Sequence, residues 1–259
     1  MEKREREAHP GGLASLCRRL LFEEAGFCLS CGERGRALTG GLCPTCQAAL
    51  DWTSSRRKLS GDPDLWVFSA AFYNNFLQKE FTDYKFSGKS YKEEIFTAIL
   101  SDYLANHPLL SQVRWIAYLP MRRRRATLRA YNPALNFARA LARRRGMVLI
   151  HALEKVRESK EQHTLSGRDR LDNVQASYAL AERAGFFSAH YWREGRLREG
   201  QVALEDLQGE AGILLDDLVT TGRTMLEGAH PLLQRGIGVY GLTLASASYP
   251  TEEQKEEIP

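Results

Sequence analysis

What this chain lacks narrows it before what it contains. No apolar run approaches the roughly 18 residues that a bilayer-crossing helix needs, so no integral membrane segment is expected. The opening residues 1–7 are charged and carry no apolar core of the export-signal kind. No internal repeat is evident. Between residues 103 and 153 there is no Asp or Glu at all, yet ten arginines fall there. The formal net charge is only +4, so this excess is local and reads as an anion-facing surface. Cysteine is scarce and patterned. Four of the five form two Cys-x-x-Cys pairs, which suits a reducing compartment and a metal better than disulfides. A cytoplasmic protein is the expectation.

The remainder is ordinary for a globular chain: 259 residues, 43% apolar and 26% charged. That length suffices for one main domain and a small module. The boundaries read as a leader with a short helix over 1–26, a cysteine ribbon over 27–50 and a linker over 51–64. A main domain over 65–248 and an acidic tail over 249–259 complete the chain.

The main domain is organised around residues 212–225, Gly-Ile-Leu-Leu-Asp-Asp-Leu-Val-Thr-Thr-Gly-Arg-Thr-Met. Ile213, Leu214 and Leu215 are short and apolar enough for a buried parallel strand that ends at Asp216 and Asp217. A small-residue loop, Thr220, Thr221 and Gly222, precedes a helix opening near Arg223. In open α/β sheets ligands sit beyond the carboxyl ends of strands. Adjacent carboxylates there can accept hydrogen bonds from vicinal hydroxyls, as on ribose. Backbone N–H groups and threonine hydroxyls can wrap a phosphate, at which the helix points its positive end. The stretch suits a sugar phosphate.

Other segments fit an α/β chain with a parallel sheet. Strands are expected over 65–73, 113–119, 147–150 and 238–245, and helices over 76–84, 90–104, 134–145 and 225–233. Residues 84–89, Tyr-Lys-Phe-Ser-Gly-Lys, interleave aromatics with Lys85 and Lys89. They could stack a base or contact phosphate, or could simply close a helix with Gly88 as its cap. The strand over 113–119 runs into Pro120, Met121 and then Arg122, Arg123, Arg124 and Arg125, a cationic loop of the kind a pyrophosphate requires. Arg129 and Asn132 follow before the next helix. Residues 154–175 have the composition of a mobile loop over a site, and 181–210 read as a helical or irregular insertion. Cys28, Cys31, Cys43 and Cys46 can close a tetrahedral four-sulfur site with no open position, so the expected metal is structural zinc.

Residues 212–225 resemble the phosphoribosyl pyrophosphate (PRPP) motif of type I phosphoribosyltransferases. The wider set resembles the competence protein F (ComF, GntX-like) branch of that superfamily. That set comprises the cysteine ribbon, Tyr84-Lys85-Phe86-Ser87-Gly88, Arg129-Ala130-Tyr131-Asn132, the run Gln162-His163-Thr164-Leu165-Ser166, and the Asp216-Asp217 loop. The resemblance implies an open parallel sheet flanked by helices with a small N-terminal zinc ribbon. It implies that Asp216 and Asp217 hold the ribose hydroxyls of PRPP, and that Thr220, Thr221, Gly222 and Thr224 hold its 5-phosphate. Arg223 stands where the family has a small residue, and either adds a cation or crowds the loop. Arg122 and Arg123 would meet the pyrophosphate, with Mg2+ bridging it to the ribose. By resemblance too, members are tied to natural transformation, which points to single-stranded DNA and the uptake machinery as partners. Ala130 and Pro133 depart from the family pattern. Two readings stay open: phosphoribosyl transfer to a nitrogenous acceptor, or a non-catalytic module that binds single-stranded DNA or a nucleotide. No segment reads as an acceptor-base hood, the feature that would separate them.

Overall fold

The computed structural model describes residues 26–35, 39–53, 56–121, 131–156 and 177–247. The expected leader helix, the loop 122–130, residues 157–176 and the tail from 248 lie outside them. The chain divides into two units, Met1–Ala49 and Leu50–Pro259. In the first, a bridge pairs Phe27 with Arg34 and another pairs Thr39 with Leu42, and a short helix α1 (Pro44–Ala48) follows.

The described residues of the second unit hold ten strands: β1 (Arg56–Leu59), β2 (Leu65–Phe72), β3 (Trp115–Tyr118), β4 (Val148–Ile150), β5 (Leu153–Lys155), β6 (Tyr178–Leu180), β7 (Phe186–Arg193), β8 (Arg196–Ala203), β9 (Gly212–Val219) and β10 (Val239–Ser246). Eight of them form one sheet in the order β1-β2-β10-β9-β3-β4-β7-β8. The five from β2 to β4 are parallel, and β1, β7 and β8 add antiparallel flanks. β5 and β6 pair separately. Ile213, Leu214 and Leu215 on central β9 are fully buried, as expected of a parallel strand covered on both faces.

Among the described residues four helices flank the sheet: α2 (Asn75–Phe86), α3 (Glu93–Asn106), α4 (Pro133–Arg145) and α5 (Arg223–Leu233). Two starts are legible in their residues. Asn74 caps α2 by accepting from the Leu77 N–H at 3.1 Å, and Asn132 with Pro133 opens α4. Gly146 ends α4 in the left-handed conformation at φ 69°. α5 sets Met225, Ala229 and Leu232 against Val67, Ala117, Leu119 and Leu214. On the other side Phe81, Tyr84, Phe96 and Phe137 of α2, α3 and α4 interlock, with ring centroids 4.8 to 5.6 Å apart.

Three expectations change. Residues 181–210 are not a helical or irregular insertion but chiefly the hairpin β7–β8, which extends the sheet from β4. Glu194 and Gly195, at φ 54° and 74°, form the two-residue connection whose twist suits a hairpin. The edge position exposes most of β8, which blurs the alternation that hydropathy reads. Second, the stretch 51–64 carries β1, paired to β2. Third, the central strand does not end at the acidic pair, as expected, but runs two residues past it. Pairing with β10 continues through Asp216 and Leu218 to Val219, because register with the neighbouring strand decides where the ladder stops.

Gly212 shows how tightly β9 is seated. A Cβ there would stand 2.2 Å from a Trp115 ring carbon. Gly212→Ala should therefore cost about 1–3 kcal/mol by overpacking, read as a lower urea midpoint at unchanged slope. A midpoint equal to wild type would contradict this packing.

Candidate functional site

Strand alternation separates the two carboxylates, sending successive side chains to opposite faces of β9. Asp217 points to the α2 side, where its Oδ2 lies 2.6 Å from Lys85 Nζ. Both side chains are largely buried, at 21% and 15% exposure, so this pair is shielded from water. Lys85 sits in the last turn of α2 with its ammonium 4.6 Å from the Phe81 ring centroid. Burial and then the Asp217 charge raise the Tyr73 pKa, which sets that phenol beside the same carboxylate. Asp216 has a different environment. Burial, and after it the Asp217 charge, push it up to about 8, against the Asp217 N–H that it accepts at 2.9 Å and the more distant Lys85 and Lys155. Lys155 on β5 reaches Tyr178 Oη on β6 at 3.2 Å, so the β5–β6 ribbon borders Asp216. One carboxylate is ion-paired and the other keeps its proton to near-neutral pH. Together they offer a vicinal diol both acceptors and a donor.

The loop follows at once. Thr220 and Thr221 are exposed, and Gly222 caps α5 in the left-handed conformation at φ 83°. The Leu226 N–H donates to the Gly222 carbonyl at 2.9 Å, and the Arg223 N–H to Thr221 Oγ1 at 3.4 Å. Thr224 is exposed in the first turn, where N–H groups lack helical acceptors and the dipole favours an anion. Arg223 pairs with Glu227 one turn on, Nε to Oε1 2.8 Å, and so is engaged along the helix.

Sequence reasoning missed Arg57. From β1 its Nη1 donates to the Thr220 carbonyl at 3.1 Å and its Nη2 to the Thr221 carbonyl. Burial lowers its pKa, but a guanidinium stays charged. Nothing local marks it, since its partners lie 163 and 164 residues away.

The remaining expected residues divide. Lys85, Asp216, Asp217, Thr220, Thr221, Gly222, Arg223 and Thr224 come together. Asn132 is occupied at both ends of its amide: Oδ1 accepts from the Ala134 N–H at 3.0 Å, and Nδ2 donates to the Leu119 carbonyl at 3.1 Å. It ties the start of α4 to the end of β3. Lys89 pairs with Asp83 at 3.0 Å, beside a buried Lys92 that lies 2.6 Å from both Asp83 and Glu80. Arg122, Arg123, Arg124, Arg125, Arg129 and His163 lie outside the described residues.

In the first unit, the sulfurs of Cys28, Cys31, Cys43 and Cys46 lie within 4.8 Å of one another, with Cys31 Sγ and Cys43 Sγ 3.8 Å apart. Four thiolates about 2.3 Å from one tetrahedral ion would stand about 3.8 Å apart, so the cluster could hold a metal such as zinc. Burial opposes the Cys28 thiolate, but backbone donors led by Cys31 and Cys43 bring that thiol down to about 7, while burial pushes Cys46 up to about 12. A cation in the cluster would favour the thiolate at all four.

No family model and no curated protein matches this chain. Some solved structures do. Adenine phosphoribosyltransferase from Thermoanaerobacter pseudethanolicus is 16% identical, covering 74% of this chain and 84% of its own, with a TM-score of 0.35. The Trypanosoma brucei adenine phosphoribosyltransferase, solved with AMP, pyrophosphate and ribose-5-phosphate, is 12% identical over 74% of this chain and 88% of its own, at 0.36. Leishmania donovani UMP synthase is 15% identical over 77% of this chain, which spans 29% of that enzyme, at 0.31. Among the described residues no helix is long and apolar enough to cross a membrane.

The cluster yields a direct test. Purified protein should carry one equivalent of tightly held divalent metal, released by a strong chelator or by acid with protonation of the four sulfurs. Cys43→Ser should lower that content by at least about tenfold. Full metal retention in that variant would contradict the assignment of the site.

Proposed function

We propose that this chain binds PRPP and transfers its phosphoribosyl group to a nitrogenous acceptor, as a phosphoribosyltransferase of the competence F type. One observation carries the reading: Asp216 and Asp217 lie in the C-terminal half of the central parallel strand, which ends at Val219 and leads into a glycine-bent loop that opens α5. In the reaction the acceptor nitrogen forms its bond to ribose C1 while the bond from C1 to the pyrophosphate oxygen breaks. Asp217 and Asp216 orient the ribose hydroxyls, and the 220–224 loop fixes the 5-phosphate. Lys85, already 2.6 Å from Asp217, brings a positive charge to the ribose end, where the leaving group departs. Mg2+ takes one or two carboxylates and substrate phosphates, and the pair fits that donor set; bound there it would neutralise the pyrophosphate. Arg122 and Arg123 belong to the same reading as pyrophosphate contacts. Zinc in the four-cysteine cluster would be structural.

The place of action, cytoplasmic handling of incoming single-stranded DNA beside the uptake machinery, rests on the family resemblance. A second reading has one observation in its favour. Helix α4 exposes Arg139, Arg143 and Arg145 within the acid-free stretch, which suits a phosphodiester backbone. On that reading the core is an anion-binding scaffold without turnover.

Pyrophosphate release separates the two. With PRPP, Mg2+ and a panel of nucleobases and amines, at least one acceptor should yield pyrophosphate. Asp217→Asn should slow that release about 100-fold or more. Silence across the panel, joined with oligonucleotide binding that weakens steeply with salt, would overturn transfer in favour of the scaffold reading.

A further inference from the structure

We infer that Arg57 is a positioning residue for the phosphate loop: by gripping two successive carbonyls from β1, it turns two successive backbone N–H groups outward to receive a phosphate monoester. The inference rests on the phosphoribosyl reading above and deepens it, because it names what shapes the 5-phosphate end of the site.

The geometry follows from the peptide unit. In a trans peptide the carbonyl and the following N–H point in opposite directions. The Thr220 carbonyl shares its unit with the Thr221 N–H, and the Thr221 carbonyl shares its unit with the Gly222 N–H. Both carbonyls accept from the Arg57 fork. Both N–H groups must therefore face away from Arg57, and neither meets a protein acceptor among the described residues. The next donor, the Arg223 N–H, has only a 3.4 Å contact to Thr221 Oγ1, which a charged oxygen would outcompete. Successive N–H groups turned to one side make an anion-binding concavity, and the first turn of α5 extends it.

Two further features tie the loop to this strand. A Cβ on Gly222 would stand 2.7 Å from Arg57 Nη2 and 2.6 Å from Leu59 Cδ1, and the backbone there has φ 83°. The turn's positive φ favours glycine there, and a side chain would also push the Arg57 and Leu59 tips aside. Arg57 also sets a full positive charge at the carbonyl ends of the two units. That polarises them in the sense that strengthens their N–H groups as donors. A lysine would keep the charge but, as a point donor, would not fix the directions of both carbonyls as the planar guanidinium fork does.

The test uses full-length, metal-loaded protein and two ligands that report on opposite ends of the site: ribose 5-phosphate, and pyrophosphate with Mg2+. Arg57→Met should weaken ribose 5-phosphate about tenfold or more, the scale of a lost charge-assisted arrangement. It should leave pyrophosphate within about twofold, as expected if the far end is untouched. Arg57→Lys should recover part of the loss. Unchanged ribose 5-phosphate affinity in Arg57→Met would overturn the inference. So would an equal loss for both ligands, which would mark a general defect of folding. Wild-type protein that binds neither ligand would instead overturn the phosphoribosyl reading itself, and the inference with it.

Discussion

Everything in the site depends on how far the ladder between β9 and β10 continues. Because pairing runs through Asp216 to Val219, the acidic pair belongs to the strand rather than to the loop after it. Two consequences follow from the pleat. The carboxylates face opposite sides of the sheet, so each takes its environment from a different layer of the fold. The loop that follows begins beyond the sheet edge, where Gly222 can turn the chain into α5. A ladder ending at Leu215 would leave both carboxylates in flexible backbone, open to water, with neither an ion-paired nor a desolvated member.

The asymmetry between the two acids is the chemical product of that arrangement. Lys85 holds Asp217 from the α2 side, while Asp216 is desolvated beside β5 and β6 and so retains its proton to higher pH. A vicinal diol entering the site would meet Asp217 as an acceptor and Asp216 as a donor, both already in place. The protein has therefore set its charges before any ligand arrives, which lowers the reorganisation that binding demands.

Much of this was legible in the sequence. The apolar runs of β2, β3, β9 and β10 announce a buried parallel sheet, and Asn132-Pro133 announces the start of α4. The motif names its own residues, and the cysteine spacing foretells a cluster whose sulfurs lie close together. What was illegible has specific physical causes. Arg57 acts on carbonyls more than 160 residues away, and no local pattern records that. The β7–β8 hairpin is an edge whose residues are mostly exposed, so its hydropathy alternates too weakly to read as strand. Lys85 and Lys89 look equivalent in the chain, yet the helix turns one to Asp217 while the other meets Asp83. Asn132 looked like a ligand contact and is engaged as a cap.

The central claim is that the acidic pair and its loop form a live sugar-phosphate site. Calorimetric titration of PRPP with Mg2+ tests it most directly, comparing wild type with the double variant Asp216→Asn, Asp217→Asn. The account predicts micromolar binding by the wild type and its loss in the double variant, with the fold intact. A metal-loaded wild type that does not bind PRPP, or a double variant that binds it equally well, would contradict the account.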